Sequence, residues 1–247
     1  MMSVIKLVQH LNGPQRTARN RAVLCMILAL SSLATQAHAG NSDSLLAAWL
    51  GAQTNIHAWA ADFIQTRMFK SLTEPLTATG HVWFAEPNRF RWELGHPPQT
   101  IAVRAPRELL VIYPRLKRVE RYPLGSEQTG QWRDALALLE TGFPRTQAEL
   151  EARYKILSQK AADDAEEVVL EPKSAAARRM MPRIKITFDT NDFSLRATEL
   201  EFADGSAMRN DFQSGVLNPK FDELMFTPPI PGDYEIVEPL KAKSSRK

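Results

Sequence analysis

Histidine and cysteine are the side chains most often used to bind transition metals or to act as nucleophiles, and this sequence has few of them. The chain contains five histidines and one cysteine. Beyond residue 40 its only histidines are His57, His81 and His96, and no two of these have the spacing that places a metal-binding pair on one face of a helix. The sequence therefore argues against a zinc site.

The motifs that position phosphate groups or an activated serine are also missing from the sequence. None of the 11 glycines forms GxGxxG, GxxxxGKS or GxxxxGKT, and there is no GxSxG. The acidic pairs Asp163-Asp164 and Glu166-Glu167 lie in a polar connection, where solvated loop charge is the simpler interpretation. We therefore expect a protein without a cofactor that is not an enzyme, although carboxylates distant in sequence could still form an acid–base pair.

The distribution of charge argues against a nucleic-acid-binding protein. The chain has 31 Lys and Arg and 28 Asp and Glu, a formal net charge of +3. Four of the basic residues and none of the acidic ones precede residue 40, so the rest of the chain has 27 basic and 28 acidic residues. Proteins that bind the phosphate backbone depend on clustered excess cations, which this region lacks.

Residues 1–39 have the features of a secretory signal peptide. A cationic stretch that ends at Arg21 precedes an apolar run from Ala22 to Ala34, and Ala37-His38-Ala39 is a small-x-small cleavage signature. The alternative, a membrane anchor, would need about 20 apolar residues. We expect cleavage after Ala39, which removes the single cysteine, Cys25, and places the mature protein in a bacterial-type periplasm.

The mature chain begins with a predicted helix and a strand. Leu45, Leu46, Trp49 and Leu50 recur at spacings of three and four, which predicts an amphipathic helix to about Asn55. The pattern then changes to alternation, which predicts a strand over residues 58–69.

The clearest alternation in the sequence runs from Arg89 to Leu94. It places Phe90, Trp92 and Leu94 on one face and three charged residues on the other, as in a sheet that is solvated on one side. The turn-forming residues Glu86-Pro87-Asn88 connect this strand to the strand-like residues 80–85. We therefore predict a β-hairpin here.

The rest of the mature chain is predicted to add short strands and two helical regions. Helices are expected within 131–152 and over 146–153, an exposed loop from Lys173 to Met181, and a disordered basic tail over 241–247. The predicted fold class for the single domain, residues 40–240, is α+β, with helices on one face of a strongly curved antiparallel sheet. The further predicted strands are 99–104, 108–113, 116–121, 153–158, 166–171, 183–189, 195–202 and 207–213.

These elements carry motifs that resemble the outer-membrane lipoprotein carrier protein LolA family. The strand–turn–strand segment from Gly80 to Trp92, followed by Pro97-Pro98 and Tyr113-Pro114, looks like the signature of that family. Outlying matches are Phe63-Ile64-Gln65 after an amphipathic first helix, Asp204-Gly205-Ser206 in a late hairpin, and Phe226-Thr227-Pro228-Pro229 followed by Gly232.

The resemblance implies an unclosed β-barrel lidded by helices, with a hydrophobic cavity that holds lipoprotein acyl chains in the periplasm. It implies an inner-membrane ABC exporter that loads a monomeric carrier and an outer-membrane acceptor that unloads it. Two alternatives remain open: a sensor or regulatory module of the same fold, such as RseB, and a carrier for a different lipid. Neighbouring genes would help to distinguish them.

The resemblance also suggests which residues face the cavity and which belong to the lid. By motif position, Phe90 and Trp92 fall where the family has cavity-lining aromatic residues, and for every other position ordinary core packing is the alternative. Leu136 and Leu139 are candidate lid residues. The full set of candidate cavity residues is Val82, Phe84, Phe90, Trp92, Leu94, Ile101, Val103, Leu110 and Ile112.

Glu86 is the point where the sequence departs from the family pattern. The family commonly has Arg immediately before the Pro-Asn of this turn, where its hydrogen bonds hold the lid closed. A carboxylate here can accept hydrogen bonds from backbone N–H groups or pair with a basic side chain, and Arg133 and Arg145 are the nearest candidates in sequence. Glu86 is thus a candidate lid latch, or else a solvated turn residue beside a looser lid.

Overall fold

β-Strands dominate the part of the chain that the computed structural model describes, which is residues 39–87, 89–105, 107–124 and 145–239. The strands in these residues are β1 (Ala58–Met68), β2 (Leu76–Ala85), β3 (Arg89–Leu94), β4 (Thr100–Ala105), β5 (Glu108–Tyr113), β6 (Arg118–Pro123), β7 (Tyr154–Ala162), β8 (Ala165–Pro172), β9 (Arg183–Asp189), β10 (Leu195–Glu201), β11 (Ala207–Leu217) and β12 (Glu235–Val237).

These strands form a single sheet in the order β12-β6-β5-β4-β3-β2-β1-β11-β10-β9-β8-β7. Neighbours are antiparallel except β12 and β6, which pair in parallel over three residues. β12 and β7 are the two edges and do not pair with each other, so the sheet does not close into a barrel. The predicted class, α+β with an unclosed antiparallel sheet, is confirmed, and β1 to β11 correspond to the predicted strands.

Three α-helices accompany the sheet in the described residues: α1 (Ala39–Gln53), α2 (Gln147–Arg153) and α3 (Ala175–Met180). α2 is the helix predicted over 146–153, and the hydroxyl of Thr146 accepts the backbone N–H of Glu149 at 3.2 Å as its N-cap. α3 lies where an exposed loop is predicted, and that prediction is wrong. Its three alanines favour helix, and Ser174 caps its first turn through the N–H of Ala177.

α1 packs against one end of the sheet and forms the largest core there. Its residues Leu46, Trp49 and Leu50 are at most 2% exposed. They meet a set of apolar side chains from β8 and β9, with the ring of Trp49 stacked on that of Phe188 at 4.9 Å between centroids. Burial of each such side chain contributes about 1.5–3 kcal/mol, so this core holds α1 on the sheet. The sheet residues are Val168, Leu170, Ile186 and Phe188.

The β2–β3 hairpin has the register that the sequence alternation predicts. Val82 lies opposite Trp92, and Phe84 lies opposite Phe90, so all four side chains point to the same face of the sheet. Gly80 and Leu94 form the next pair on this face. Through the pairings of β1, β11, β10 and β9, this is also the face on which α1 packs.

The opposite face of β3 is covered rather than solvated. The side chains of Arg91 and Glu93 are only 17% and 19% exposed. A 3-10 turn, Glu223–Phe226, packs across them, and Arg91 donates a hydrogen bond to the backbone carbonyl of Met225 at 3.1 Å. The expectation that these charges face open water is wrong, because a segment more than 100 residues away in sequence returns to cover them.

Four of the nine candidate cavity residues lie on this covered face, so their assignment to a common lining surface is corrected. Ile101 and Val103 are register partners of Glu93 and Arg91, not of Phe90 and Trp92. Leu110 and Ile112 pair with them and pack with Val119 under the C-terminal segment. β5 has apolar residues on both faces, Leu109 and Val111 on one and Leu110 and Ile112 on the other, so hydrophobicity alone does not fix which way each side chain points.

Candidate functional site

Four aromatic rings cluster on the face of the sheet that carries Phe90 and Trp92. We call Trp59, Phe63, Trp92 and Phe212 the aromatic cluster. The centroids of Phe63 and Trp92 are 4.0 Å apart, and those of Trp59 and Phe212 are 5.1 Å apart in an edge-on arrangement. Phe63 is 1% exposed, whereas the other three rings are half-buried. The cluster therefore has a buried base and an accessible upper surface.

Gly80 allows the ring of Phe63 to lie flat on the sheet. A Cβ atom built on Gly80 would lie 2.2 Å from Cζ of Phe63 and 2.3 Å from the backbone oxygen of Glu93. The contact between Phe63 and Trp92 therefore requires a residue without a side chain at position 80. From the sequence, Gly80 can be assigned only to a strand. Its role in making room for Phe63 follows from its neighbours across the sheet.

Five of the predicted cavity residues extend this surface. Val82 packs in the base of the cluster, Trp92 is a member, and Leu94 packs against it. Phe84 is the register partner of both Trp59 and Phe90, and it is half-buried, as Phe90 is. The structure brings these five side chains together on one face, with Leu109 and Val111 of β5 continuing it.

A pocket of about 200 Å³ opens at the end of the aromatic cluster. Trp59, Phe212 and Leu195 form its apolar wall. Its remaining wall is polar and comes from the β9–β10 turn and from β11, where the register shifts opposite Ala61. The residues of this wall are Asp192, Ser194, Gln213, Ser214 and Gly215, together with Arg196 at the start of β10.

Arg196 fixes the turns beside this pocket. Its guanidinium donates to both oxygens of Asp164, at 2.9 and 2.6 Å, and also pairs with Asp189. The hydrogen bond from Arg196 lowers the pKa of Asp164, and backbone N–H of Asn191 followed by Arg196 lowers that of Asp189. The charge of Arg196 is therefore already balanced, and its role is to join the β7–β8 and β9–β10 turns.

A row of buried amides separates the aromatic cluster from the α1 core. Gln65 and Asn210 are 5% and 4% exposed. Gln65 donates to Asn210 at 3.0 Å, and Asn210 donates to the hydroxyl of Thr198 at 3.3 Å. Because buried polar groups need partners, this chain of hydrogen bonds sets a specific boundary to the apolar surface.

A second polar group lies on the same face near the β12 edge, on β6 and at the end of β5. Glu120 accepts hydrogen bonds from Tyr122 at 2.8 Å, from Arg118 at 2.7 Å and from Tyr113 at 3.4 Å. Burial, followed by the hydrogen bond to Glu120, raises the pKa of Tyr122 to about 12, and the same causes raise that of Tyr113. Both phenols therefore keep their protons at neutral pH.

Glu86 joins three parts of the chain at the end of the β2–β3 hairpin. Its carboxylate lies 2.6 Å from Nδ1 of His57 and pairs with the guanidinium of Arg145. Its backbone oxygen accepts hydrogen bonds from Arg89. The Glu86 side chain is 29% exposed and that of Arg145 is 42% exposed, so the ion pair is partly shielded from solvent. Arg145 is one of the two partners that the sequence suggests.

The predicted lid residues Leu136 and Leu139, and the other suggested partner, Arg133, lie outside the described residues, as does the predicted leader before residue 39. Within the described residues, no group of three or more His, Cys, Asp or Glu is placed to hold a metal ion. Among these residues there is also no helix with the length and apolar character needed to span a membrane.

This arrangement suits the binding of an extended apolar group. Half-buried aromatic rings offer large contact area at small loss of rotamer freedom. Among the described residues, three polar groups of this face are internally paired: the amide row, the Arg196 turn and the group on β5 and β6. The buried Arg104 lies within the face, as the register partner of Phe90. A ligand on this face would exchange water for apolar contact, and no bond-breaking chemistry is required.

Several known proteins are similar to this chain. A curated outer-membrane lipoprotein carrier protein from Chromohalobacter salexigens is 27% identical over 205 residues, which cover 83% of this chain and 90% of the relative. A solved structure of an uncharacterised conserved protein from Thermus thermophilus covers 80% of this chain and 99% of its own, with 10% identity and a TM-score of 0.47. A LolA superfamily protein from Nitrosomonas europaea covers 74% and 96%, with 12% identity and a TM-score of 0.38.

The family model of the outer membrane lipoprotein carrier protein LolA matches residues 54–229, which include all strands from β1 to β11 and the aromatic cluster. The resemblance seen in the sequence motifs is thereby confirmed, and this chain belongs to the LolA family.

Proposed function

We propose that this protein binds the acyl chains of lipoproteins on its aromatic face and carries them across the periplasm to the outer membrane. The observation that supports the proposal most strongly is the accessible upper surface of the aromatic cluster. Trp59, Trp92 and Phe212 are half-buried and continuous with Phe84 and Phe90 on one face of the sheet.

Apolar contact alone supplies enough free energy for such a ligand. Each methylene transferred from water contributes about 0.8 kcal/mol, so an acyl chain of ten or more carbons gains several kcal/mol after the cost of ordering it. A surface without catalytic groups is sufficient for this task. We therefore propose a carrier that is not an enzyme and that works with no cofactor.

Loading and release need a cover that can be displaced. The segment with Leu136 and Leu139 connects directly to Arg145, whose guanidinium pairs with Glu86 at the end of the aromatic face. We propose that this ion pair, rather than the arginine usual in the family, anchors the end of the cover. An inner-membrane ABC exporter and an outer-membrane acceptor are the partners proposed for loading and unloading.

Native mass spectrometry of the protein purified from the periplasm tests the proposal. We expect a fraction of the protein to carry the additional mass of an acylated polypeptide, and we expect a leaderless N-terminus at Gly40. A protein that carries no acyl-containing mass, from cells with normal lipoprotein content, would contradict the carrier function.

The regulatory alternative requires a different readout. Inner-membrane vesicles that contain labelled lipoproteins are incubated with the purified protein, and soluble lipoprotein is measured. A carrier releases lipoprotein in proportion to its own amount and passes it to outer-membrane vesicles. A sensor of the RseB type binds acyl chains but leaves the labelled lipoprotein in the membrane.

A further inference from the structure

The polar group on β5 and β6, near the β12 edge of the sheet, has no role in holding apolar chains, yet it lies on the face that would bind them. We call Tyr113, Arg118, Glu120 and Tyr122 the edge cluster. Register pairs connect Trp92 to Ala102, Ala102 to Val111 and Val111 to Glu120. Glu120 therefore lies three strand spacings, about 14 Å, from Trp92 on the same face.

Glu120, at the centre of the edge cluster, is shielded from solvent, whereas the side chain of Arg118 is 40% exposed. The side chain of Glu120 is only 17% exposed, and three donors converge on it. The raised pKa of Tyr122, about 12, reflects the same burial and the hydrogen bond to Glu120. A sheet face that only had to contact hydrocarbon would not place four polar side chains together at this position.

Arg118 has hydrogen-bonding capacity that the described residues leave unused. Its Nη2 donates to Glu120, but its Nε is buried and donates to no group among the described residues. The Arg118 side chain as a whole is 40% exposed, so its guanidinium can be reached from outside the sheet. The hydroxyl oxygen of Tyr113 can also accept a hydrogen bond, because this phenol donates its own proton to Glu120.

We propose that the edge cluster is the subsite for the polar end of the acyl ligand, with Arg118 as the donor to its carbonyl or carboxylate oxygens. The hydrocarbon then lies along Val111 and Ala102 toward the aromatic cluster. The proposal rests on the proposed function, because it takes acyl binding on this face as given. It adds that the polar end is recognised, so the ligand binds in one direction.

The test compares two probes of equal chain length: a pyrene-labelled fatty acid, and the corresponding alkylpyrene, which has no oxygen. Arg118→Met should weaken binding of the fatty acid about tenfold or more and leave binding of the alkylpyrene unchanged. Arg121→Met is the matched control, since Arg121 lies on β6, points to the opposite face and pairs with Glu108 at 3.1 Å. It should change neither affinity.

Tyr122→Phe keeps the ring and removes one hydroxyl. It is the variant to use if circular dichroism shows that Arg118→Met does not fold. A selective loss of fatty-acid affinity of about threefold or more is expected from this variant. The subsite would be overturned if Arg118→Met bound the fatty acid as tightly as the wild type, or if Arg121→Met lost as much fatty-acid affinity as Arg118→Met. Either result would leave the proposed function intact. A wild-type protein that binds neither probe would refute the proposed function and the subsite together.

Discussion

A substitution at Phe90 tests whether this residue belongs to a binding surface or to the packed core. It is half-buried and on the aromatic face, so Phe90→Glu should place a carboxylate on the surface that contacts an acyl chain. We expect binding of a fluorescent fatty acid to fall at least tenfold, about 1.4 kcal/mol, while the circular dichroism spectrum stays folded.

Trp83 provides the control for this prediction. It lies on the same hairpin, is also half-buried, and faces the opposite side of the sheet, where it contacts His81 at 4.0 Å between centroids. Trp83→Glu should leave fatty-acid affinity within about twofold of wild type. Unchanged probe affinity in a folded Phe90→Glu variant would remove Phe90 from the binding surface.

Glycine substitutions test the close approach of Phe63 to the sheet. Gly80→Ala should lower the free energy of unfolding by about 1–3 kcal/mol, because the new methyl group meets a backbone oxygen that cannot move away. Gly51→Ala, in α1, meets no atom within 4 Å and should raise it by about 0.4–1 kcal/mol. Urea denaturation measures both, and a stabilised Gly80→Ala would show that Phe63 does not need this space.

At the level of elements, the pair Glu86 and Arg145 should control the mobility of the proposed cover. Glu86→Ala removes the pair and the contact with His57. We expect amide hydrogen exchange over residues 131–143 to become roughly two- to fivefold faster, since a partly exposed ion pair contributes about 0–1 kcal/mol. Exchange is followed by mass spectrometry at neutral pH.

A charge swap distinguishes the ion pair from other effects of the mutation. Glu86→Arg alone should also accelerate exchange, and the double variant Glu86→Arg with Arg145→Glu should restore it toward the wild-type rate. If exchange in Glu86→Ala equals that of the wild type, the cover is held by hydrophobic contact and Glu86 has no latch function.

The turns beside the pocket should depend on pH through Arg196. The pKa values of Asp164 and Asp189 are held below their ordinary value of 3.8. Groups with a lowered folded-state pKa contribute stability above the unfolded pKa, and this contribution is lost as pH falls through the folded value. The Tm difference between wild type and Arg196→Met should therefore be constant from about pH 5 to pH 8 and shrink below about pH 4. A difference independent of pH would show that Arg196 acts through packing alone.

The sequence predicts the positions of the strands better than it predicts which face of the sheet each side chain occupies. The alternation in β3 correctly gives the shared side of Phe90 and Trp92, because one side of that strand is charged. β5 is apolar at positions on both sides, so the orientation of Leu110 depends on register and on what covers each face. The covering segment, with Ile230, comes from the far end of the chain, and no local pattern predicts its return.

Several site residues became visible only through tertiary contacts. In the sequence, Glu120 and Tyr122 look like ordinary alternating residues of a polar strand, and Gly80 looks like any strand glycine. Their significance comes from pairs that join positions distant in sequence, such as the contact of Gly80 with Phe63. Glu86 is the exception, because its departure from the family motif is visible in the sequence, which also offers Arg145 as one of two candidate partners.

At the scale of the whole molecule, the proposed carrier needs an apolar surface that can take up an acyl chain and give it up again. The two faces of the sheet are used differently. The C-terminal segment seals the side that carries Leu110, Ile112 and Val119, whereas the aromatic face keeps half-buried rings. Among the described residues, the sealed side stabilises the sheet, and the aromatic side is the one that we propose for the ligand.

Photo-crosslinking locates the ligand on the whole molecule and tests this assignment most directly. A fatty acid with a diazirine group in its chain is bound to the intact protein, activated by light and mapped by peptide mass spectrometry. Crosslinks should concentrate on the aromatic face, at Trp59, Phe90, Trp92 or Phe212, and be displaced by unlabelled fatty acid. Saturable crosslinks on the opposite face, at Trp83 or Ile230, with none on the aromatic face, would contradict the account.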